Sequence, residues 1–226
     1  MGLDESAMVP GSELIKFLSA FDTSKVSDIL DDLGCRCAMS SAVKPLWEGL
    51  KICGPAVTVE AVPSTASSTG SKLFEAIDSC RKGDVIVVGV DEDSSCDSWG
   101  GLVTRCAMTR SVAGVITDGP ARDYKEIKEL GFPVFSKGLI PTSPKGRRIY
   151  TDYNIPIVCG GVKIHPQDII LGDDDGVVVI PRGKISAVKE MAVRASKAEE
   201  AIVKAISHGA SAKEAMTMKF EGLDII

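Results

Sequence analysis

Histidine is nearly absent: His165 and His208 are the two in 226 residues. That scarcity excludes an imidazole-built zinc site and leaves little material for a histidine-based nucleophile triad. His165 precedes Pro166 with no second ligand at a useful spacing, and His208 falls near a predicted helix C-terminus, so both read as structural. The formal charge is −5 and the densest basic cluster is the short Lys145-Gly146-Arg147-Arg148, which excludes a broad nucleic-acid surface. No run approaches about 18 apolar residues, so no membrane-spanning helix is expected. The N-terminus lacks a basic segment followed by an apolar run, so no signal peptide is expected and the cytoplasm is the expected compartment. Neither a Gly-x-Ser-x-Gly elbow, nor a P-loop, nor a Gly-x-Gly-x-x-Gly after a strand occurs, which argues against hydrolase, nucleotide and dinucleotide chemistry. Seven cysteines form an odd, scattered set without metal-type spacing, and read as mostly buried free thiols in a reducing compartment.

What is present is an ordinary globular composition, 44% apolar and 25% charged, in a chain long enough to bury one large core. Residues 12–18 and 23–33 show helical spacing, the second segment capped by Asp22 or Thr23 and stopped by Gly34. Strand character follows at Ile52 and 56–62, then helical spacing over 67–79. Residues 85–90 and 112–117 are nearly all apolar, as strands buried on both faces are. The helical pattern over 102–110 between them makes a βαβ unit, whose ligands gather at the carboxyl ends of the strands. Residues 124–130 predict a further helix, 133–135 a strand, and 139–154 a long polar connection. Short antiparallel strands are expected over 157–180, and a long amphipathic helix over 184–207 with another short helix after it. No repeat or linker divides the chain, so residues 1–226 read as a single domain.

Two stretches meet at the expected ligand edge. Gly100 and Gly101 precede the helix at Leu102 and Val103, and a Gly-Gly turn before a helix offers free N–H groups to an anion. Arg122-Asp123 follows the second buried strand and a Gly119-Pro120 turn; a guanidinium grips a carboxylate or oxyanion, and the carboxylate holds a hard cation such as Mg²⁺. Together these parts suit a small 2-oxo acid and a metal-assisted carbon–carbon lyase. The acidic stretch Asp91, Glu92, Asp93 and Asp97 reads first as a solvated loop and second as a cation site. Asp173-Asp174-Asp175-Gly176 lacks the spacing of an EF-hand loop and reads as a hairpin turn.

The sequence resembles one family from about residue 20 to 207. The residues that carry the likeness are Trp99-Gly100-Gly101-Leu102, the run 114–119, Arg122-Asp123-x-x-Glu126, the run 130–135, Cys159-Gly160-Gly161-Val162, Pro166-x-Asp168 and the run 172–178. The family is that of the class II 4-hydroxy-4-methyl-2-oxoglutarate aldolases and the regulator-of-ribonuclease-activity-A (RraA)-like proteins. The resemblance implies a three-layer β/β/α swivelling domain assembled as homotrimers or hexamers, with sites between subunits. It implies Mg²⁺ or Mn²⁺, and cleavage of a 4-hydroxy-2-oxo acid to pyruvate, with oxaloacetate decarboxylation alongside, through a metal-stabilised enolate. By the same resemblance Asp123 holds the metal and Arg122 meets the 2-oxo oxygen. The N–H groups of Leu102 and Val103 bind the carboxylate, and Glu199, with Glu200 as its rival, completes a neighbouring subunit's site. The best-known aldolases carry an acidic residue where this chain has Gly101, a loss that bears on aldol cleavage, which needs a base, more than on decarboxylation. The loop 91–97 is one source of a substitute carboxylate, and Arg147 or Arg148 a partner for a distal carboxylate. Family members that bind a ribonuclease lack the metal-holding Asp that this chain keeps at Asp123, and no Gly-rich adenosylmethionine loop supports the family's older methyltransferase label.

Overall fold

The computed structural model describes residues 11–67, 71–91 and 93–218. Seven helices and ten strands are found among them: α1 Ser12–Leu18, α2 Thr23–Asp32, β1 Lys44–Pro45, β2 Ile52–Pro63, α3 Lys72–Ser79, β3 Val85–Gly89, α4 Gly101–Thr109, β4 Gly114–Thr117, α5 Tyr124–Leu130, β5 Val134–Ser136, β6 Arg148–Tyr153, β7 Ile157–Cys159, β8 Val162–Ile164, β9 Ile169–Asp173, β10 Gly176–Ile180, α6 Ile185–Ser207 and α7 Ala212–Met216. Positions 68–70 of the helical pattern expected from residue 67, and Glu92 of the acidic loop, lie outside the described residues, as do both ends of the expected domain.

One eight-stranded sheet runs β1-β5-β4-β3-β2-β9-β10, with β6 on β2. The long strand β2 organises it, pairing parallel with β3 and antiparallel with β9 and β6. The βαβ expectation holds: β3, β4 and β5 are parallel neighbours linked by α4 and α5. The sheet curls until its ends meet. Met39 N–H donates to Val177 O and Val179 N–H to Cys37 O, and Lys44 Nζ at β1 reaches Asp175 O beside β10, 2.6 Å away. The result is a nearly closed barrel.

Strand alternation divides the core. Val85 and Val87 face the barrel interior with Ile116, Phe135 and Ile170, plugged by the β7–β8 hairpin. Ile86, Val88 and Val115 face outward into a layer built by α3, α4 and α5. On the antiparallel side Leu171, Val178 and Ile180 pack under α1, α2 and α6. Every residue of β3, β4 and β10 is therefore buried, which is why these strands lack a polar face.

Three details differ from the sequence expectations. The polar connection over 139–154 contains β6, which pairs with the second half of β2 across a bulge at Glu60 and Ala61. Its burial comes from two residues that carry polar groups, Arg148 and Tyr150, so no apolar alternation announces it. Asp22 sits at the N-cap of α2 without capping it; Asp173 takes that part, accepting from Thr23 N–H at 2.8 Å and Thr23 Oγ1 at 2.6 Å. All seven cysteines are free thiols, but three are buried, three half-buried and Cys106 exposed. No helix among the described residues is long and apolar enough to cross a membrane.

Candidate active site

Past the carboxyl ends of β3, β4 and β5 the chain keeps its sheet order for one more step. Trp99 bridges Ala121, and Ala121 bridges Leu139. Arg122 N–H donates to Trp99 O at 2.9 Å, so the segments carrying Gly100 and Arg122 lie side by side. Trp99 is anchored through its indole N–H, which donates to Thr104 Oγ1 at 2.8 Å, and by stacking on Phe132. A cavity of about 320 Å³ opens here, lined by Asp97, Gly100–Val103 and Arg122 among others. Its size suits a small organic acid.

The two glycines serve space rather than turn geometry. Neither has a positive φ; Gly100 is the extended N-cap of α4 and Gly101 its first residue. This corrects the expected Gly-Gly turn. A Cβ on Gly100 would stand 2.9 Å from Asp123 Oδ2, and one on Gly101 would collide with the Glu126 carboxylate. The N–H of Gly101 is occupied, donating to Asp123 Oδ2 at 2.9 Å. The first-turn N–H groups of Leu102 and Val103 lie beyond the reach of the helical ladder and carry the positive end of the α4 dipole.

Asp123 itself is in the left-handed region at φ 58°, at the N-cap of α5. An Asp tolerates that conformation better than most residues, and such strain gathers at functional positions. Glu126 lies one helical turn on, its carboxylate beside Gly101 and paired to Arg105 Nε at 2.6 Å. The space that an acidic side chain at position 101 would occupy is thus filled by a carboxylate from position 126. The spacing Arg122-Asp123-x-x-Glu126 was the signal in the sequence; only the packing shows that the Glu126 carboxylate lies against Gly101.

Asp97 is the second residue the sequence undervalued. The loop is not solvated there: Asp97 is 4% exposed. Its position is fixed by Arg148, fully buried, whose Nη1 donates to Cys96 O and Asp97 O and whose Nη2 donates to Asp93 O and Asp93 Oδ2. Arg148 is therefore a loop clamp and not a receptor for a distal carboxylate, while Arg147 donates to its own turn at Ser143 O and Lys145 O. Asp97 Oδ2 lies 3.3 Å from Arg122 Nε, at ion-pair distance but not aligned for a hydrogen bond. Asp97 Oδ1 and Arg122 Nε, both buried, have no hydrogen-bond partner among the described residues. Burial pushes the Asp97 carboxyl up to about 6 against the pull of Arg122 and Arg148, with Asp123 adding to the rise.

Glu199 is not among the cavity's lining residues; its carboxylate pairs with Lys25 of the same chain at 2.7 Å and is well exposed. The Asp173-Asp174-Asp175-Gly176 stretch is the β9–β10 hairpin turn, as expected. Among the described residues no group of three or more His, Cys, Asp or Glu side chains could hold a metal ion. What the site does offer is two carboxylates, Asp123 and Glu126. That donor set fits Mg²⁺, which keeps most of its water and takes one or two carboxylates.

Fold and site together define a mixed α/β domain with the α4 N-terminus and an Arg-Asp pair at the open end of a curled sheet. The chain belongs to the aldolase/RraA (RraA-like) family, whose model matches residues 23–179. It is 36% identical over 205 residues to a Halalkalibacterium halodurans protein named "Putative 4-hydroxy-4-methyl-2-oxoglutarate aldolase", covering 91% of this chain and 95% of that one. It is 33% identical over 214 residues to protein DlpA of Legionella pneumophila; the match covers 94% of this chain and 34% of DlpA, so the chain spans about a third of that relative's length. Among solved structures, an uncharacterized protein from Pseudomonas syringae pv. tomato superposes with a TM-score of 0.81 at 28% identity, covering 92% of this chain and 98% of that one. Streptomyces coelicolor RraAS2, described as an unusual member of the RNase ES inhibitor RraA protein family, gives 0.80 at 27% identity, with 90% and 99% covered.

Proposed function

We propose that this protein is a divalent-metal-dependent carbon–carbon lyase acting on small 2-oxo acids, releasing pyruvate from a 4-hydroxy-2-oxo acid and decarboxylating oxaloacetate. The observation that carries the reading is the convergence on one cavity of the α4 N-terminus and Arg122, with Asp123 and Glu126 against Gly101. The N–H groups of Leu102 and Val103 bind the substrate carboxylate, as helix N-termini bind anions. Arg122 faces the 2-oxo oxygen, where negative charge grows as the C3–C4 bond breaks; one such donor is worth on the order of 3–4 kcal/mol. Asp123 and Glu126 would hold Mg²⁺ or Mn²⁺. That ion, when bound, supplies electrophilic polarisation of the carbonyl. Trp99 and Tyr150, both buried, form the inner wall of the cavity.

The catalytic set is Arg122 and Asp123, with Glu199 placed in a neighbouring subunit's site in a homotrimer or hexamer. The apolar Val203 and Ile206 at the end of α6 are exposed in the single chain, as a face that meets another subunit would be. Mixing inactive Asp123→Ala with inactive Glu199→Ala subunits tests this: partial recovery supports shared sites, and no recovery after verified subunit exchange refutes them. The ribonuclease-regulator reading draws on the description of the Streptomyces neighbour. Pyruvate release from a panel of 4-hydroxy-2-oxo acids and oxaloacetate, with Mg²⁺ and with EDTA, separates the two readings; no metal-dependent release from any of them would sink the lyase.

A further inference from the structure

Asp97 is not spent on holding the fold together. A carboxylate 4% exposed that leaves Oδ1 without a hydrogen-bond partner among the described residues is costly to keep. The cost is understandable if a ligand in the cavity donates to that oxygen. In a 4-hydroxy-2-oxo acid the 4-hydroxyl is such a donor. It is separated from the 2-oxo carbonyl by a single methylene, so a group 3.3 Å from Arg122 Nε is within its range once Arg122 meets the carbonyl oxygen.

We propose that Asp97 is the proton carrier of the lyase, taking the 4-hydroxyl proton on cleavage and returning it to C3. This rests on the lyase reading above. In the forward step Asp97 Oδ1 accepts the hydroxyl proton and the C4–O bond becomes a carbonyl. The C3–C4 bond breaks, and its electron pair forms the C2–C3 double bond of the enolate facing Arg122. After the aldehyde or ketone leaves, the protonated Asp97 gives its proton to C3 and pyruvate results, with the carboxylate restored. Nothing is oxidised or reduced and no co-reactant is needed. The charged and titratable groups facing Asp97 are Arg122, Arg148, Asp123 and Tyr150. Their balance with burial leaves its carboxyl at about 6, within reach of neutral pH, where a general base works best. Decarboxylation of oxaloacetate loses CO₂ without removing a hydroxyl proton, and its enolate takes the C3 proton from water, so it depends on Asp97 far less.

The full-length, Mg²⁺-loaded protein tests this with pyruvate itself as the probe. Exchange of the pyruvate methyl protons in D₂O, followed by NMR, reports proton transfer at C3, and oxaloacetate decarboxylation reports the rest of the site. Asp97→Asn, nearly isosteric, is expected to slow exchange about 10²-fold or more while decarboxylation falls less than about tenfold. Added formate is expected to restore exchange in Asp97→Ala, a rescue that a merely structural role would not give. Exchange within about threefold of wild type in Asp97→Asn, or equal losses in both reactions, would overturn the proposal and leave the lyase standing. If the wild-type protein neither decarboxylates oxaloacetate nor exchanges pyruvate, the lyase reading falls and this proposal with it.

Discussion

Two acidic stretches mark opposite sides of the molecule, and they are satisfied very differently. In the β9–β10 turn the Asp173 and Asp174 carboxylates are engaged at both oxygens: Asp173 Oδ1 accepts from Thr23 Oγ1 and Asp175 N–H, Asp173 Oδ2 from Thr23 N–H, and both Asp174 oxygens from Gly49 N–H. In the loop after β3, Asp93 is tied to Arg148 and Ser95, yet Asp97 Oδ1 and the neighbouring Arg122 Nε are left without hydrogen bonds among the described residues. Similar composition thus serves as mortar in one place and as buried, unused valence in the other. Satisfaction, rather than acidity, separates the structural cluster from the chemical one.

If that contrast is right, substitutions at the two sites fail in different measurements. The largest effect is expected at Asp123→Ala, which removes the carboxylate that accepts the Gly101 N–H and would anchor the metal. Oxaloacetate decarboxylation should be abolished, as it should be by EDTA, and full activity in the variant would place the metal elsewhere. Arg148→Ala is next: it orphans four acceptors around a fully buried charge and is expected to cost about 3–5 kcal/mol, read as a fall in Tm. Arg122→Lys keeps the charge but loses the planar fork, and turnover should fall by roughly 10² with Tm little changed. A loss below about threefold would demote Arg122 to a bystander. Asp173→Ala, on the satisfied side, is expected to cost about 1–2 kcal/mol through the lost cap on α2, with kcat unaffected.

The smallest effect carries a sign. Burial raises the Asp97 carboxyl to about 6 from an ordinary 3.8, so the fold favours its protonated form. The stability it contributes is full below about pH 4 and is lost as pH rises through about 6. Asp97→Asn should therefore raise Tm by a few degrees at pH 8 and by almost nothing at pH 4. An equal gain at both values would break the link between burial and the missing partner.

Much of this architecture was legible in the residues. The runs 85–89 and 114–117 are nearly all apolar because helices cover one face and the barrel interior the other, and that pattern alone announced a parallel pair with a ligand edge. Helix α5 could be read to its end because Gly131 stops it at φ 65°. What escaped was specified by tertiary partners. Strand β6 was missed because its buried residues are Arg148 and Tyr150, whose polarity is answered by loop carbonyls 51 and 52 residues away in sequence. Asp97 looked solvated for the same reason: nothing in its neighbours along the chain shows the guanidinium that draws the loop inward. Glu126 was visible as a motif position, but its meaning depended on the volume left empty at Gly101.

The closing of the sheet also sets an order of assembly. The cavity residues from Asp97 to Arg122 lie within the contiguous parallel unit between Val85 and Ser136, whereas sealing the barrel joins Lys44 to Asp175 across 131 residues. Distant ends cost more entropy to bring together and their contacts form later. The parallel core is therefore expected to form first, with the 37–45 segment as the last stave fitted to the barrel. In native-state hydrogen exchange the amides of Met39 and Val179, which stitch that seam, should open before those of Val87 and Ile116 in the parallel strands.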